Sequence, residues 1–434
     1  MKQDILKLKK ATRPLKGEIQ LPGDKSLAHR AALFAAIAEG DSCIENFPDT
    51  GVSRSMRNAL HSLGIADSLA NGRLTVHGNG LRPFPASDVT AYCGNSATTM
   101  RLLAGVLAAT GTSATLDGSS GLRLRPMGRI LEPLRKMGVG VSAAAGPKGE
   151  SAPLTFTTSK NKTKAFTGSI PVASAQVKSC IILAALNGDG VSKIKEPGPS
   201  RDHTERMLSS MGADVTYDAA LMEATVSPLD RPLAPLNGEL PGDISSAAFL
   251  FAAAAITPGS EITVRRICLN PTRTGIIDIL SAMGVKIDIS NKTTVFGEIA
   301  GDVTISYTPL KSTNISGDLI VRSIDELPAI TAVAAFADGV TTVKDAMELR
   351  HKESDRIAQL VKQFRALGAE IDETADGFSI RGNTIKGGTA ASAGDHRIAM
   401  SAALCGLVKD VSVEGAGIIN ESFPGFADTL YSLY

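Results

Sequence analysis

The apolar residues of this chain gather into six dense runs that begin near Ala28, Thr99, Val177, Ser246, Leu327 and Ile398. Each run is opened by a small polar segment and is apolar all round rather than striped, which predicts a buried helix. Its alanine content favours helix and lets neighbours approach closely. A second, amphipathic segment follows each of the first five runs and stops at glycine: Arg54 to Gly64, Met127 to Gly138, His203 to Gly212, Thr272 to Gly284 and Glu353 to Gly368. Glycine just past the last turn is the expected helix terminator. Alternating stretches such as Ala213-Asp214-Val215-Thr216-Tyr217 and Val285-Lys286-Ile287-Asp288-Ile289 then read as strands.

This unit recurs roughly every 60–80 residues, the mark of a repeat architecture. A longer period lies over it, because Leu21-Pro22-Gly23-Asp24 returns as Leu240-Pro241-Gly242-Asp243, each followed by Ser and an Ala-rich run. A repeat half a chain apart suggests duplication of a domain-sized piece. The expected fold is therefore α/β, or α+β in some schemes, with two similar domains of three βα-type units. The sixth unit reaches Tyr434 without its final strands, and residues 1–20 are expected to supply them: Leu6 and Leu8 alternate with Lys7 and Lys9, and Ile19 sits between Glu18 and Gln20. One domain would then comprise 1–20 with 241–434 and the other 21–240. The chain would cross near 21–24 and 240–243, which places a cleft beside Lys25.

Composition narrows the class. A length of 434 residues agrees with two domains, and 43% hydrophobic with 21% charged residues gives each a sizeable core. The net charge of +1 argues against a nucleic-acid-coating protein, so any cationic site must come from local clustering. Trp is absent and aromatics total 4%, leaving few stacking platforms for bases. The cysteines (Cys43, Cys93, Cys180, Cys268, Cys405) are odd in number and scattered, which speaks against a disulfide framework or structural zinc and for a reducing cytoplasm. Met1-Lys2-Gln3-Asp4 leads into no apolar signal region, and the most apolar stretch, Ala247 to Ile256, is too short to span a bilayer.

The polar segments opening the buried helices carry the candidate chemistry. Asp243, Ser245 and Ser246 read as helix caps. Capping does not explain Lys25, Arg30, Gln176 or Arg397: a cation at a helix start opposes the macrodipole unless an anion offsets both. Free N–H groups, dipole and cation together make a phosphate or carboxylate site. Gly23-Asp24-Lys25-Ser26 lacks the spacing of a nucleotide-binding P-loop. Arg123, Arg125 and Arg129 crowd one short loop. In Glu348-Leu349-Arg350-His351-Lys352-Glu353-Ser354-Asp355-Arg356, a solvated face paired through Glu348 and Lys352 is the plain reading. Lys352 and Arg356 are like charges at the same spacing, however, and would repel unless a shared anion lies between them. His61, His77, His203 and His351 lack ligand spacing and read as surface or structural; His29 and His396 read as loop ties.

At these residues the chain closely resembles the 5-enolpyruvylshikimate-3-phosphate synthase family, the 3-phosphoshikimate 1-carboxyvinyltransferases. The likeness runs over essentially the whole chain and rests on an ordered set of motifs. They are Leu-Pro-Gly-Asp-Lys-Ser-x-x-His-Arg from Leu21, Gly-Asn-x-x-Thr-x-x-Arg from Gly94, Arg-Pro-Met-Gly from Arg125, Ser-x-Gln from Ser174, Lys-Glu-x-Asp-Arg from Lys352 and Asp-His-Arg from Asp395. The resemblance implies two domains of three βαβαββ units each, in an inside-out α/β prism. It also implies transfer of the enolpyruvyl group of phosphoenolpyruvate to the 5-hydroxyl of shikimate 3-phosphate with release of phosphate, the penultimate step toward chorismate. No metal, nucleotide or covalent enzyme adduct is needed, and a monomer is expected. The two substrates together carry about five or six negative charges, so a site rich in Arg and Lys is an electrostatic requirement.

Carried over by motif, the resemblance implies that Lys25 meets both substrates. Ser26, Arg30, Ser174, Ala175, Gln176, Arg201, Asp325 and Lys352 would hold shikimate 3-phosphate; Ala97, Arg125, Gln176, Arg356 and Arg397 would meet phosphoenolpyruvate. Arg101 is assigned to structure. Asp325 would act as base for the hydroxyl, Glu353 would give and later retake a proton, which suits a carboxyl of raised pKa, and Lys25 would assist. Closure of the domains around Lys25 would exclude water. Two positions depart from the family pattern. Glu421 stands where many members carry Lys before Phe423-Pro424. Ala97 stands where most have Gly, and its methyl is expected to crowd glyphosate, an inhibitor longer than phosphoenolpyruvate, as in the tolerant branch. The related transferase acting on UDP-N-acetylglucosamine is the nearest alternative, but its loop normally carries Cys where this chain has Arg123-Leu124-Arg125. A non-catalytic anion-binding scaffold would leave the placement of Asp325 and Glu353 unexplained.

Overall fold

The computed structural model describes residues 4–159 and 161–434; residues 1–3 of the expected N-terminal segment lie outside them. The chain divides into two compact units, one of Pro22–Pro241 with Thr294–Glu298, the other of residues up to Leu21 with Gly242–Thr293 and Ile299–Tyr434. The first holds the buried helices Lys25–Ile37, Ala97–Thr110 and Ala175–Ala185. The second holds Ile244–Ile256, Leu327–Ala334 and His396–Leu404.

These helices are core because no face of them is polar: along Ile244–Ile256 every residue except Ser246 is buried. Asp24, Ser96, Asp243 and Asp395 cap their helices by accepting from first-turn N–H groups. Ser245, expected as a cap, does another job: its hydroxyl donates to Glu326 and accepts from Arg273 Nη2 at 2.8 Å.

The amphipathic helices are Gly51–Ser62, Gly128–Lys136, His203–Ser210, Gly275–Ala282 and Arg356–Ala366. Gly64, Gly138, Gly212, Gly284 and Gly368 end them with φ between 82 and 96°. The fifth starts at Arg356 rather than Glu353. Asp355 caps it, accepting from the Ala358 N–H at 3.0 Å, and the preceding Met347–His351 is a separate 3-10 turn.

Each repeat also contributes a mixed sheet. In the second, Val89–Tyr92 runs parallel to Ala114–Asp117, which pairs antiparallel with Gly149–Phe156, itself antiparallel to Val141–Gly146. Strands such as Ser192–Lys195 alternate buried and exposed positions, so the sheets have one wet face while the helices fill the middle of each unit. This is the two-domain α/β fold, with helices inside and sheets outside.

The strands before the two Leu-Pro-Gly-Asp segments are exchanged. Lys16–Gln20, which precedes the helix at Lys25, pairs parallel with Glu261–Cys268 of the fourth repeat. Asn237–Glu239, which precedes the helix at Ile244, pairs parallel with Glu39–Glu45 of the first. Residues 1–20 therefore do not all complete the sixth repeat; among the described residues Ile5–Leu6 is the strand that does so, antiparallel to Val411–Glu414. Gly23 has a steric role at its crossing, because a Cβ there would lie 2.5 Å from the Asn46 carbonyl oxygen and 2.8 Å from Leu240 Cβ. No helix among the described residues is long and apolar enough to cross a membrane.

Candidate active site

In the 22–241 unit, side chains tie the starts of the three buried helices together. Arg30 spans the first and third: Nε donates to Thr204 Oγ1 at 2.8 Å, Nη1 to the Ser26 carbonyl at 3.1 Å and Nη2 to Ser179 Oγ at 3.2 Å. Gln176 joins the third helix to the second, its amide donating to Thr98 Oγ1 at 2.8 Å and its oxygen accepting from Arg101 Nη1 at 2.5 Å. His29 joins the first to the second, with Nδ1 2.8 Å from the Lys25 carbonyl and Nε2 3.4 Å from Ser96 Oγ. A carbonyl only accepts, so Nδ1 carries the proton. Burial pushes His29 down to about 4, and near pH 7 it is a neutral tie.

Lys25 and Ser26 are half-buried in the first turn. The expected free N–H groups are partly taken there: Asp24 accepts from Ser26 N at 2.8 Å and Leu27 N at 3.0 Å. Arg30 is pulled down to about 10 by burial, the carboxylates of Glu205, Glu298 and Asp24 pull it up, and Arg201 is near enough to add to the lowering. Arg30 and Arg201 are thus two cations sharing one neighbourhood. Ser174 occupies the cap position of its helix without using its hydroxyl as a cap; Ser174, Ala175 and Gln176 are all half-buried.

The arginine-rich loop sorts by partner. Arg123 is spent on Asp117. Arg125 and Arg129 have no ion-pair partner among the described residues, and both bear on Arg101, which burial lowers to about 10. Arg101 itself holds Gln176 and the Pro126 carbonyl, at 3.1 Å, which is a positioning role. Ala97 is buried as the first residue of its helix.

In the other unit Arg356 is the hub. Its side chain is 1% exposed, Nε donates to Asp395 Oδ2 at 2.8 Å, Nη2 to Glu353 Oε2 at 2.5 Å, and Nη1 lies 3.5 Å from Asp325 Oδ1. The same Asp325 oxygen accepts from Lys352 Nζ at 3.3 Å. The anion shared by Lys352 and Arg356 is therefore the Asp325 carboxylate, and Glu348, the plain partner for Lys352, is exposed. Arg397 donates to the Asp325 carbonyl, and its own N–H is held by Asp395 Oδ1 at 2.9 Å. Ser354 Oγ donates to Asp395 Oδ2 at 3.1 Å. Asp395 was visible in the sequence only as part of a motif; its acidic cap position before His-Arg was the available signal of a hub.

Three cations and three carboxylates balance in this cluster. Burial raises Asp395, but Arg356 outweighs it and the pKa is lowered. Glu353 follows the same pattern: burial raises it, Arg356 outweighs that, and the net shift is downward. The raised pKa expected of Glu353 is therefore not a property of this arrangement, because the guanidinium sits on its carboxylate. Glu421 is exposed at the end of the 3-10 turn Ala416–Glu421.

Solved structures share this fold. It recurs at TM-score 0.78 and 16% identity, over 99% of this chain and 98% of the other, in the enolpyruvyl transferase NikO of Streptomyces tendae. An EPSP synthase of Acinetobacter baumannii superposes at TM-score 0.91 with 36% identity, over 99% of this chain and 98% of that one. The 3-phosphoshikimate 1-carboxyvinyltransferase of Syntrophomonas wolfei is 42% identical over 431 residues, 98% of this chain and 99% of its own. The family model described as EPSP synthase (3-phosphoshikimate 1-carboxyvinyltransferase) matches residues 9–430. The chain belongs to the EPSP synthase family and is an enzyme of that family.

Proposed function

We propose that the enzyme transfers the enolpyruvyl group of phosphoenolpyruvate to the 5-hydroxyl of shikimate 3-phosphate, releasing phosphate. The observation that carries the reading is the cluster of Asp325, Lys352, Glu353, Arg356 and Arg397, where carboxylates able to move protons are set among cations able to hold anions. Lys25, Ser26, Arg30, Ser174, Gln176 and Arg201 hold shikimate 3-phosphate, Ala175 offers it backbone only, and Asp325 and Lys352 meet its ring hydroxyls. Arg125, Arg356 and Arg397 hold phosphoenolpyruvate, with Lys25, Gln176 and Ala97 beside it.

The balanced charges of the cluster suggest how a carboxyl becomes an acid. An anion that engages Arg356 draws its field away from Glu353, whose pKa then rises, and the cluster takes up a proton there. Glu353 gives that proton to the methylene carbon, the adjacent carbon becomes electrophilic, and Asp325 takes the proton of the attacking 5-hydroxyl. The tetrahedral intermediate loses phosphate, Glu353 recovers a methyl proton, and the double bond is restored. The enzyme works as a cytoplasmic monomer, and the Ala97 methyl lowers its glyphosate sensitivity. Phosphate release from phosphoenolpyruvate is expected only with shikimate 3-phosphate present. Release that ignores this acceptor, or that runs on UDP-N-acetylglucosamine, overturns the assignment.

A further inference from the structure

Lys178 takes no part in the chemistry above, yet it is a fully buried cation one helical turn beyond Ser174. Its side chain is 0% exposed, and Nζ lies 2.7 Å from Glu196 Oε2 and 2.7 Å from Glu205 Oε1, both carboxylates being themselves buried. The Tyr217 ring closes the remaining side, its centroid 4.4 Å from Nζ. A cation so placed is a large desolvation cost for a surface-independent helix, and a methionine of similar length would pack there without it.

Its two carboxylates lead to the phosphate-holding residues. The other oxygen of Glu196 accepts from Ser200 Oγ at 2.5 Å, and Ser200 directly precedes Arg201. Glu205 stands next to Thr204, whose hydroxyl receives Arg30 Nε, and its charge is the largest of those acting on Arg30. Apart from the contact with Lys178, Glu205 has no hydrogen bond to its carboxylate oxygens among the described residues. With Lys178 neutralising it, Arg30 stays on Ser26, Thr204 and Ser179. Burial already raises the Glu205 pKa, so without Lys178 its carboxylate keeps a charge only by turning to Arg30, where it competes with any incoming phosphate.

We propose that Lys178 is a positioning residue for shikimate 3-phosphate: it occupies Glu205 so that Arg30 remains available to the phosphate, and through Glu196 and Ser200 it anchors Arg201. The proposal rests on the assignment of Arg30 and Arg201 to that phosphate. Steady-state kinetics on the full chain test it with Lys178→Met, Lys178→Met/Glu205→Gln and Ser200→Ala. Lys178→Met is expected to raise KM for shikimate 3-phosphate about tenfold or more, the scale of a weakened charge-assisted hydrogen bond, with kcat and KM for phosphoenolpyruvate within about threefold. Removing the competing carboxylate with Glu205→Gln should bring KM back to within about threefold of the parent. Equal losses for both substrates, or no recovery in the double variant, overturn the proposal. If Lys178→Met does not fold, Ser200→Ala decides: a rise confined to shikimate 3-phosphate supports the anchoring, and no rise refutes it. Arg30→Lys and Arg201→Gln separate the two levels. If neither raises KM for shikimate 3-phosphate, the phosphate assignment itself is wrong; if they do and the Lys178 variants do not, only the role of Lys178 fails.

Discussion

Replacing Asp395 by Asn isolates the charge at the hub of the Arg356 cluster while keeping its shape. Asn caps a helix as well as Asp, so the bond from Arg397 N is retained and the cap contributes almost no difference. With that single oxygen kept on Arg397 N, an amide NH2 takes the place of Oδ2, which accepts from Arg356 Nε and Ser354 Oγ, so the charge-assisted bond is lost, about 1.5–3 kcal/mol. Arg356 is also left buried with less compensation. Breaking a buried pair outright costs about 3–5 kcal/mol. Asp325 and half-exposed Glu353 remain as partners here, so the expected loss is about 2–3 kcal/mol. In a unit of about 200 residues that lowers its melting temperature by roughly 4–12 °C. Scanning calorimetry at pH 7 reads this directly. The pH dependence gives the sign. The folded pKa of Asp395 is depressed, so its stabilisation is complete above the unfolded value of about 3.9 and disappears as pH falls through the folded one. Parent and variant should therefore converge in acid below about pH 4. A shift under about 1 °C at pH 7, or one that persists unchanged in acid, refutes the argument.

Three other outcomes follow from the same geometry. Glu353→Gln should lower phosphate release by about 10²–10⁴-fold with only a small change in melting temperature, since its side chain is 46% exposed; turnover near the parent rate removes it from proton transfer. Ala97→Gly should strengthen glyphosate inhibition while KM for phosphoenolpyruvate changes little, and an unchanged inhibition curve rejects the steric reading. His29 has a folded pKa lowered to about 4, so the unfolded chain binds its proton first and stability falls as pH drops from about 6.5 to 4. His29→Gln should flatten that acid slope in urea titrations, whatever it does to stability at pH 8.

The helices were legible because their signal is local. All-round apolar, Ala-rich runs and terminating glycines such as Gly212 and Gly284 depend on no distant partner. The strands were less so: Lys16–Gln20 carries the alternation of an exposed strand but nothing that says whether its neighbour is residue 411 or residue 261. In the site, the helical spacing read between Lys352 and Arg356 does not exist, because the helix begins at Arg356, although the two cations do meet at one anion. Nothing local shows that Asp325, far away in sequence, supplies it. Glu353 looked like an acid of raised pKa because Arg356, only three residues on, was assigned to substrate and not counted as its ion-pair partner. Lys178 was passed over for another reason: nothing in an apolar run names the carboxylates, Glu196 and Glu205, that let a lysine be buried in it.

The exchanged strands have a consequence for how the protein is made. Lys16–Gln20 is synthesised well before its partner Glu261–Cys268, which lies roughly 245 residues downstream. At about 5–20 residues per second it waits on the order of 10–50 s. Residues 22–241 include Asn237–Glu239, so the first sheet of their unit can be completed during that interval. The waiting segment must stay soluble and uncommitted meanwhile, and its composition suits the delay: Lys16, Glu18 and Gln20 are exposed, leaving Ile19 as its lone large apolar side chain. Its polarity, unremarkable in the finished sheet, keeps this early strand from pairing with the wrong edge before the right one exists.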